Sequence, residues 1–278
     1  MQRCLTALVL LSVLAYGGVA RAGDPFELQV YDGTANAPGV PALELHLNDW
    51  ATGHRDAAPP ELPLHGQFHA TLEPSLGLLP SWEVGAYLQG VVRDDGTVAW
   101  AGAKLRSKLV TPPSFSRAWR LGVNVEVAAL PEAYDRDRWG AELRPIAAWH
   151  GDGWLFAVNP ILDQPLAGAG ASDGPSFQPA VKASRSLGAF ALGLEYYGTL
   201  GPLASPLPLR EEEHYVYEVL DLLSLDRFEC SVGVGEGLTA ASAGLVFKAI
   251  LGYSFDPPAT DPSPASSDTG APNDRRRR

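Results

Sequence analysis

Charged side chains recur at every second position inside otherwise apolar segments of this sequence. The densest run is Lys104, Arg106 and Lys108, three cations separated by single residues. Adjacent residues of a β-strand face opposite sides, so this spacing predicts one basic ladder on one strand face.

The basic ladder has two interpretations. It attracts an anionic solute, or it neutralises Glu73, Glu83 and Glu126 on neighbouring strands. We favour the second, because charges held together in a low-dielectric interior must pair or stay hydrated.

The same alternation assigns thirteen ionisable residues to polar strand faces. They are Glu73, Glu83, Lys104, Arg106, Lys108, Arg120, Glu126, Glu142, Arg144, Lys182, Glu195, Glu229 and Lys248. Both signs occur in similar number, so such faces line a narrow polar channel or close an interior by their own salt bridges. The sequence leaves both alternatives open.

Catalytic signatures are weak. Outer-membrane lipid hydrolases place a serine two residues after a histidine, whereas this chain reads His46-Leu47-Asn48, His65-Gly66-Gln67 and His69-Ala70-Thr71. A serine nucleophile would have to come from a distant strand. We therefore predict no enzyme and keep a lipid-modifying enzyme as the least favoured alternative.

Metal and cofactor signatures are equally weak. The six histidines are scattered and the two cysteines have no paired spacing. Gly233, Gly235 and Gly237 alternate on a predicted strand with no helix after them, which does not fit a phosphate loop. We expect neither metal nor cofactor.

The elements that carry these residues are long amphipathic strands. We count twelve segments with period-2 alternation, at about 41–50, 64–77, 81–92, 97–109, 118–130, 138–149, 153–162, 176–186, 189–198, 214–222, 226–236 and 240–255. Most approach the ten or so residues of a tilted transmembrane strand, about twice the usual length in soluble domains. The alternation predicts Val123, Val125, Leu192, Leu194 and Val232 on the apolar outer face.

The connections alternate in length, as they do in outer-membrane barrels. Most even-numbered connections are short, for example 150–152 and 187–188, whereas 51–63, 163–175 and 199–213 are long. This parity places both ends of the strand array on the periplasmic side. Pro74, Pro145, Pro160 and Pro179 fall inside predicted strands, where proline removes a ladder donor.

Tryptophans cluster near the predicted strand ends. They are Trp50, Trp82, Trp100, Trp119, Trp139, Trp149 and Trp154. Indole rings prefer the membrane–water interface, so the placement predicts two aromatic girdles. The alternative is a soluble β-sandwich with tryptophans at its strand ends.

The flanking regions differ from the strand array. An apolar run after Arg3, followed by Ala20-Arg21-Ala22, predicts a signal peptide over 1–22. We expect 23–40 to form an N-terminal periplasmic segment and the Pro- and Ser-rich 256–278 to be a disordered tail. The net charge of −11 argues against a nucleic-acid partner.

Several stretches resemble a known family when they are taken together: FHATLEPSLGLLPSWEVGAYLQ, AGAKLRSKL, NVEVAALPEAYDRDRWGAELRPIAAW, FAVNPILD and LGLEYYG. Over about 64–200 they resemble proteobacterial outer-membrane β-barrel proteins related to those encoded near meta-pathway aromatic-degradation and transport genes. The resemblance implies an outer-membrane barrel, and a channel as its function, and it supplies no catalytic residues.

The sequence thus predicts an all-β protein, a single antiparallel transmembrane β-barrel of about 12 strands over 41–255. Its expected partners are outer-membrane lipid, small solutes and, during assembly, the barrel-insertion machinery, whose signal the terminal Leu251–Phe255 stretch resembles. The expected function is passage of small solutes, and a non-conducting structural or binding barrel is the alternative.

Overall fold

The computed structural model describes residues 23–57 and 59–255. The predicted signal peptide and C-terminal tail lie outside the described residues. The strands are β1 (Pro41–Thr52), β2 (Gln67–Leu79), β3 (Trp82–Val92), β4 (Val98–Val110), β5 (Trp119–Ala129), β6 (Trp139–Gly151), β7 (Trp154–Pro165), β8 (Ser176–Ser186), β9 (Phe190–Thr199), β10 (Glu213–Leu222), β11 (Phe228–Gly237) and β12 (Leu245–Ser254).

These strands form one closed barrel. Each strand pairs antiparallel with its neighbours in sequence, and β1 pairs with β12 to close the sheet. The single antiparallel barrel is therefore confirmed, and the two-sheet sandwich is wrong. Among the described residues no helix is long and apolar enough to cross a membrane.

Most predicted strand bounds agree with the structure to within about three residues. The largest difference is β12, predicted from 240 but beginning at Leu245. Residues before it fold into a loop in which Thr239 Oγ1 and Ser242 Oγ lie 2.7 Å apart. Local side-chain hydrogen bonds of this kind compete with extension of the strand.

The barrel is polar inside and apolar outside. In β5, Asn124 and Glu126 are buried, whereas the intervening Val125 and the following Val127 are each 44% exposed. In β9, Leu192 and Leu194 are exposed on the outer face and Glu195 is buried. This arrangement is the reverse of a soluble barrel, and it follows from the period-2 alternation.

The two ends of the barrel differ. At the short-turn end the connections are 80–81, 111–118, 152–153, 187–189 and 223–227. At the long-loop end they are 53–66, 93–97, 130–138, 166–175, 200–212 and 238–244. The tightest turn places Asp152 and Gly153 at φ 50° and 74°, the left-handed pair that a type I′ hairpin requires. Both β1 and β12 reach the short-turn end with their outer termini.

The strand prolines sit where the ladder is interrupted. The pairing of β6 with β7 stops after Leu143↔Leu162 and resumes at Ala147↔Val158. Pro145 and Pro160 both lie in this gap. Their missing N–H groups therefore cost the sheet few hydrogen bonds.

Candidate functional site: the barrel lumen

The lumen is occupied by residues 23–40, here called the N-terminal segment. We expected this segment in the periplasm, and the structure places it inside the barrel. Gly23 lies beside Thr199 and Gln178 near the long-loop end. Gly39 donates a backbone hydrogen bond of 2.8 Å to the Gly77 carbonyl near the short-turn end. The segment therefore runs the height of the barrel and then turns into β1.

Apolar side chains of the N-terminal segment fill three separate apolar patches on the inner wall. Phe26, 1% exposed, packs in a cluster with Val91, Ala101 and Leu130. Leu28 packs in a second cluster with Trp50, Tyr215 and Tyr217, and Val30 packs in a third with Ala148, Ala157, Ile161 and Ala180. Each fully buried side chain of this size contributes about 1.5–3 kcal/mol.

A buried ion pair joins the segment to β6. Arg144 Nη1 lies 2.9 Å from Glu27 Oε1, and Arg144 Nε lies 2.7 Å from Glu142 Oε1. The other Glu27 oxygen, Oε2, lies 3.8 Å from Lys104 Nζ. Arg144 also donates to the Gln29 carbonyl, so one guanidinium holds two points of the segment.

A second ion pair holds the upper end of the segment. Lys104 contacts the Asp24 carboxylate and lies 3.3 Å from Glu126 Oε2. Lys104 therefore acts as an internal counter-ion for the segment.

Tyr31 fixes the middle of the segment. Its backbone N–H donates to Asn159 Oδ1 at 2.7 Å, and its carbonyl accepts from Asn159 Nδ2 at 3.0 Å. The side-chain amide of Asn159 therefore binds the Tyr31 backbone as a neighbouring strand would, and Asn159 lies in the gap of the β6–β7 ladder. The Tyr31 ring lies 4.5 Å from the Arg144 guanidinium carbon, and the hydroxyls of Tyr31 and Tyr87 are hydrogen-bonded at 2.6 Å.

The lower end of the segment meets β2 and β3. Asn36 N donates to Glu83 Oε2 at 2.6 Å, and Asn36 Nδ2 donates to Ser75 Oγ at 3.0 Å. A Cβ at Gly77 would lie 2.2 Å from the Ala37 carbonyl oxygen. Only glycine permits this approach.

The basic ladder is neutralised by carboxylates, as favoured from the sequence. Arg106 contacts Glu73 and Glu83, and Lys108 lies 3.0 Å from Glu83. Lys108 also lies 5.0 Å from the Tyr31 ring. The ladder therefore closes the wall and faces the segment rather than an open water path.

A further charged cluster lies on the opposite wall. Lys182 Nζ is 3.1 Å from Glu195 Oε1 and 2.9 Å from Asp221 Oδ2. Lys248 contacts the other Glu195 oxygen and donates to the Leu28 carbonyl at 2.8 Å. Eleven of the thirteen residues assigned to polar faces are brought into these ion-pair clusters.

Arg120 and Glu229 stand apart from the clusters. Arg120 donates to the carbonyls of Ser116 and Trp119 near the short-turn end. Glu229 is exposed to solvent, although it lies on the lumen face opposite Gly252. Both residues sit near the mouth rather than among the buried pairs.

Six of the seven tryptophans lie on the outward strand face. Trp82, Trp119, Trp149 and Trp154 lie at the short-turn end, and Trp100 and Trp139 lie at the long-loop end. The prediction for Trp50 is wrong: it is 1% exposed and donates to the Pro25 carbonyl inside the lumen. Its register puts it on the same face as His46 and Asn48, which strand-end position alone does not reveal.

One group has the composition of a metal site. Single ligand atoms of Glu44, His46 and Glu73 lie within 4.8 Å of one another. Two carboxylates and an imidazole suit a divalent transition metal. However, Arg106 already pairs with Glu73, and His46 Nδ1 has no hydrogen-bond partner among the described residues, so the supporting shell of a metal ligand is missing.

The three histidines considered for catalysis make other contacts. His46 pairs with Glu73, His65 Nδ1 accepts from the Gly53 N–H, and His69 stacks on Phe26 at 4.1 Å. His69 also contacts Gln67 and the Pro25 carbonyl. His65 therefore holds a loop, His69 holds the N-terminal segment, and His46 joins β1 to β2 within the wall.

Sequence reasoning missed the lumen residues that precede β1. Phe26, Leu28 and Val30 alternate with Glu27 and Gln29, the same period-2 signal as in the strands. That alternation indicates an extended stretch with one apolar and one polar face. In the lumen the apolar face meets apolar wall patches and the polar face meets charged wall residues.

A cavity of about 350 Å³ lies above the N-terminal segment, at the long-loop end. We call this cavity the vestibule. Asp24, Pro25 and Phe26 contribute to its surface, together with wall residues that include Glu126, Glu142 and Glu213. Residues of the long loops, among them Leu62, Tyr134 and Ala241, complete its lining.

Comparison with known proteins identifies solved structures that share this fold. The COG4313 outer membrane channel from Pseudomonas putida F1 aligns with a TM-score of 0.54 and 12% identity, covering 82% of this chain and 100% of that chain. The KdgM porin aligns with a TM-score of 0.51 and 9% identity, covering 77% of this chain and 99% of that chain. No protein-family model matches the chain, and no curated protein matches it. The chain therefore has the fold of outer-membrane porins and channels.

Proposed function

We propose that this chain resides in the bacterial outer membrane as a channel for small solutes, held closed by its N-terminal segment in the described state. The observation that carries the proposal is a closed barrel with an apolar exterior and a charged lumen that opens into the vestibule. An apolar outer face suits lipid, and an interior of ionised groups suits water and solutes.

A barrel in the outer membrane must also be inserted into it during assembly. Tyr253 near the end of β12 and Phe255 just after it have rings 4.8 Å apart on the outer surface near the short-turn end. We propose that this aromatic end of β12 is read by the barrel-insertion machinery during assembly.

A second candidate is a non-conducting structural or binding barrel. The observation that favours it is the N-terminal segment itself, which fills the lumen with buried ion pairs and apolar contacts. The two candidates differ in whether the segment leaves the lumen.

Single-channel recording in planar bilayers distinguishes them. Full-length protein should give stable stepwise conductance, and Tyr31→Ala should raise the open probability because it removes the Tyr87 and Arg144 contacts of the segment. Phe115→Ala, in an exposed turn, should behave like wild type. Folded, inserted protein that stays silent in both wild type and Tyr31→Ala would overturn the channel and support the structural barrel.

A further inference from the structure

The vestibule and the wall beneath it hold more buried carboxyl groups than cations. Lys104 and Arg144 are the two cations at its base, and between them they contact four carboxylates, those of Asp24, Glu126, Glu27 and Glu142. All of these side chains are at most 16% exposed. Two cations therefore face four buried carboxyl groups.

A fifth carboxylate deepens the surplus. Glu213 is 5% exposed and accepts a hydrogen bond of 3.1 Å from Tyr215 Oη. Within 23–57 and 59–255 no cation lies at ion-pair distance from Glu213. A buried carboxylate without a counter-ion is costly, and a cation entering the cavity relieves that cost.

An unpartnered carboxylate oxygen at the base of the vestibule is a second, independent indication of a cation site. Glu27 Oε2 is buried and receives no hydrogen bond from the described residues; Lys104 Nζ is 3.8 Å away. Glu27 borders a small cavity of about 40 Å³, which shares Asp24, Glu142 and Tyr215 with the vestibule wall. That volume accommodates a donor group of the size of water or ammonium.

The remaining wall is aromatic and apolar. Phe26, Tyr134 and Tyr215 contribute rings to the vestibule, with Leu62 and Leu130 beside them. Aromatic rings attract cations through their negative faces and also pack against apolar bodies. Carboxylates with aromatic rings therefore suit an organic cation better than an anion.

We propose that the vestibule binds a small organic cation, a protonated amine or guanidinium on an apolar or aromatic body, as the solute class of this barrel. The cationic group lies against Glu213 and the carboxylates of the base, and the body lies against Phe26 and Tyr215. This proposal rests on the proposed channel function, since it names the solute that the channel admits.

Titration calorimetry on the full-length protein in detergent tests the site without requiring conductance. The probes are tyramine, the neutral alcohol tyrosol and the anion 4-hydroxyphenylacetate, which share a ring and differ in charge. Tyramine should bind at one site at least tenfold more tightly than tyrosol, and the anion should show no binding. Equal binding of tyramine and tyrosol, or tighter binding of the anion, would overturn the proposal.

Two variants on the same strand locate the site. Glu213→Gln should weaken tyramine binding about tenfold, whereas Glu218→Gln, on the outward face of β10, should leave it unchanged. Equal effects of the two would show that binding is not in the vestibule.

Reversal potentials in a KCl gradient separate this proposal from the channel itself. Conductance without cation preference and without tyramine binding removes the solute assignment and leaves the channel standing. Tyramine binding to a silent barrel removes the channel and leaves the binding site.

Discussion

Arg144 is the residue on which most of the lumen contacts converge. Its guanidinium reaches Glu27, Glu142, the Gln29 carbonyl and the Tyr31 ring. Arginine suits this position because a planar group with five donors can serve several acceptors at once. Lysine, with a single ammonium centre, could not replace these contacts.

We predict that Arg144→Met destabilises the folded barrel by about 3–5 kcal/mol, because Glu27 and Glu142 are left buried without their shared partner. Urea unfolding in lipid vesicles measures the difference. Arg210→Met is the matched control, since Arg210 is 80% exposed and pairs only with Glu211 among the described residues. Equal stability of the two variants would contradict the buried network.

Gly77 is a wall residue that lies directly against the backbone of the N-terminal segment. Gly77→Val should displace residues 36–39, because a side chain there would overlap the Asn36 and Ala37 carbonyls. The expected results are a lower thermal midpoint and faster hydrogen exchange at the Gly39 amide. Gly90→Val is the control, since its nearest atoms would lie 3.8 Å away. Unchanged exchange at Gly39 in Gly77→Val would contradict the contact.

At the scale of elements, a charged side chain on the outer face of a strand should cost more stability the closer it lies to the middle of the bilayer. Val125 lies mid-way along β5 and is 44% exposed, whereas Leu121 lies near the short-turn end and is 40% exposed. If the outer face contacts lipid, Val125→Arg should cost about 2–4 kcal/mol and Leu121→Arg about 0–1 kcal/mol. Unfolding titrations in vesicles give both values. Equal costs would mean that this face is not in hydrocarbon.

The strands could be predicted from the sequence because their signal is local. Alternation such as Asn124-Val125-Glu126-Val127 fixes both the element and the direction of each side chain. The inward direction of Trp50 follows from the same alternation, whereas its position near a strand end predicted an outward ring. Ion pairs such as Lys182–Asp221 join β8 to β10 across β9, and local alternation does not reveal such partners.

The N-terminal segment was harder to place because its alternation does not say what it packs against. Phe26 and Leu28 match patches that exist only once β3, β4, β10 and β12 are arranged around them. Likewise, from the sequence Pro145 and Pro160 predict only an interruption of the strand pairing. The structure shows that Asn159, within this interruption, binds the backbone of Tyr31. Long-range complementarity of this kind is absent from local patterns.

At the scale of the whole molecule, tryptophan positions report how the barrel sits in a bilayer. Trp154 is 42% exposed on the outer surface, and Trp50 is buried in the lumen. In single-tryptophan variants, brominated lipid should quench the fluorescence of Trp154 strongly and that of Trp50 weakly. Quenching of both to the same extent would contradict the inward orientation of Trp50 or the lipid contact of Trp154.

The path of the N-terminal segment also gives the closing seam of the barrel a second role. The segment leads directly into β1, and β1 pairs with β12, the last of the described strands. Leu28 packs in one cluster with Trp50 of β1 and Val246 of β12, so its pocket spans the seam between these two strands. Pairing of the first strand with the last therefore does more than satisfy the backbone at two sheet edges: it also completes the surface on which the segment is buried.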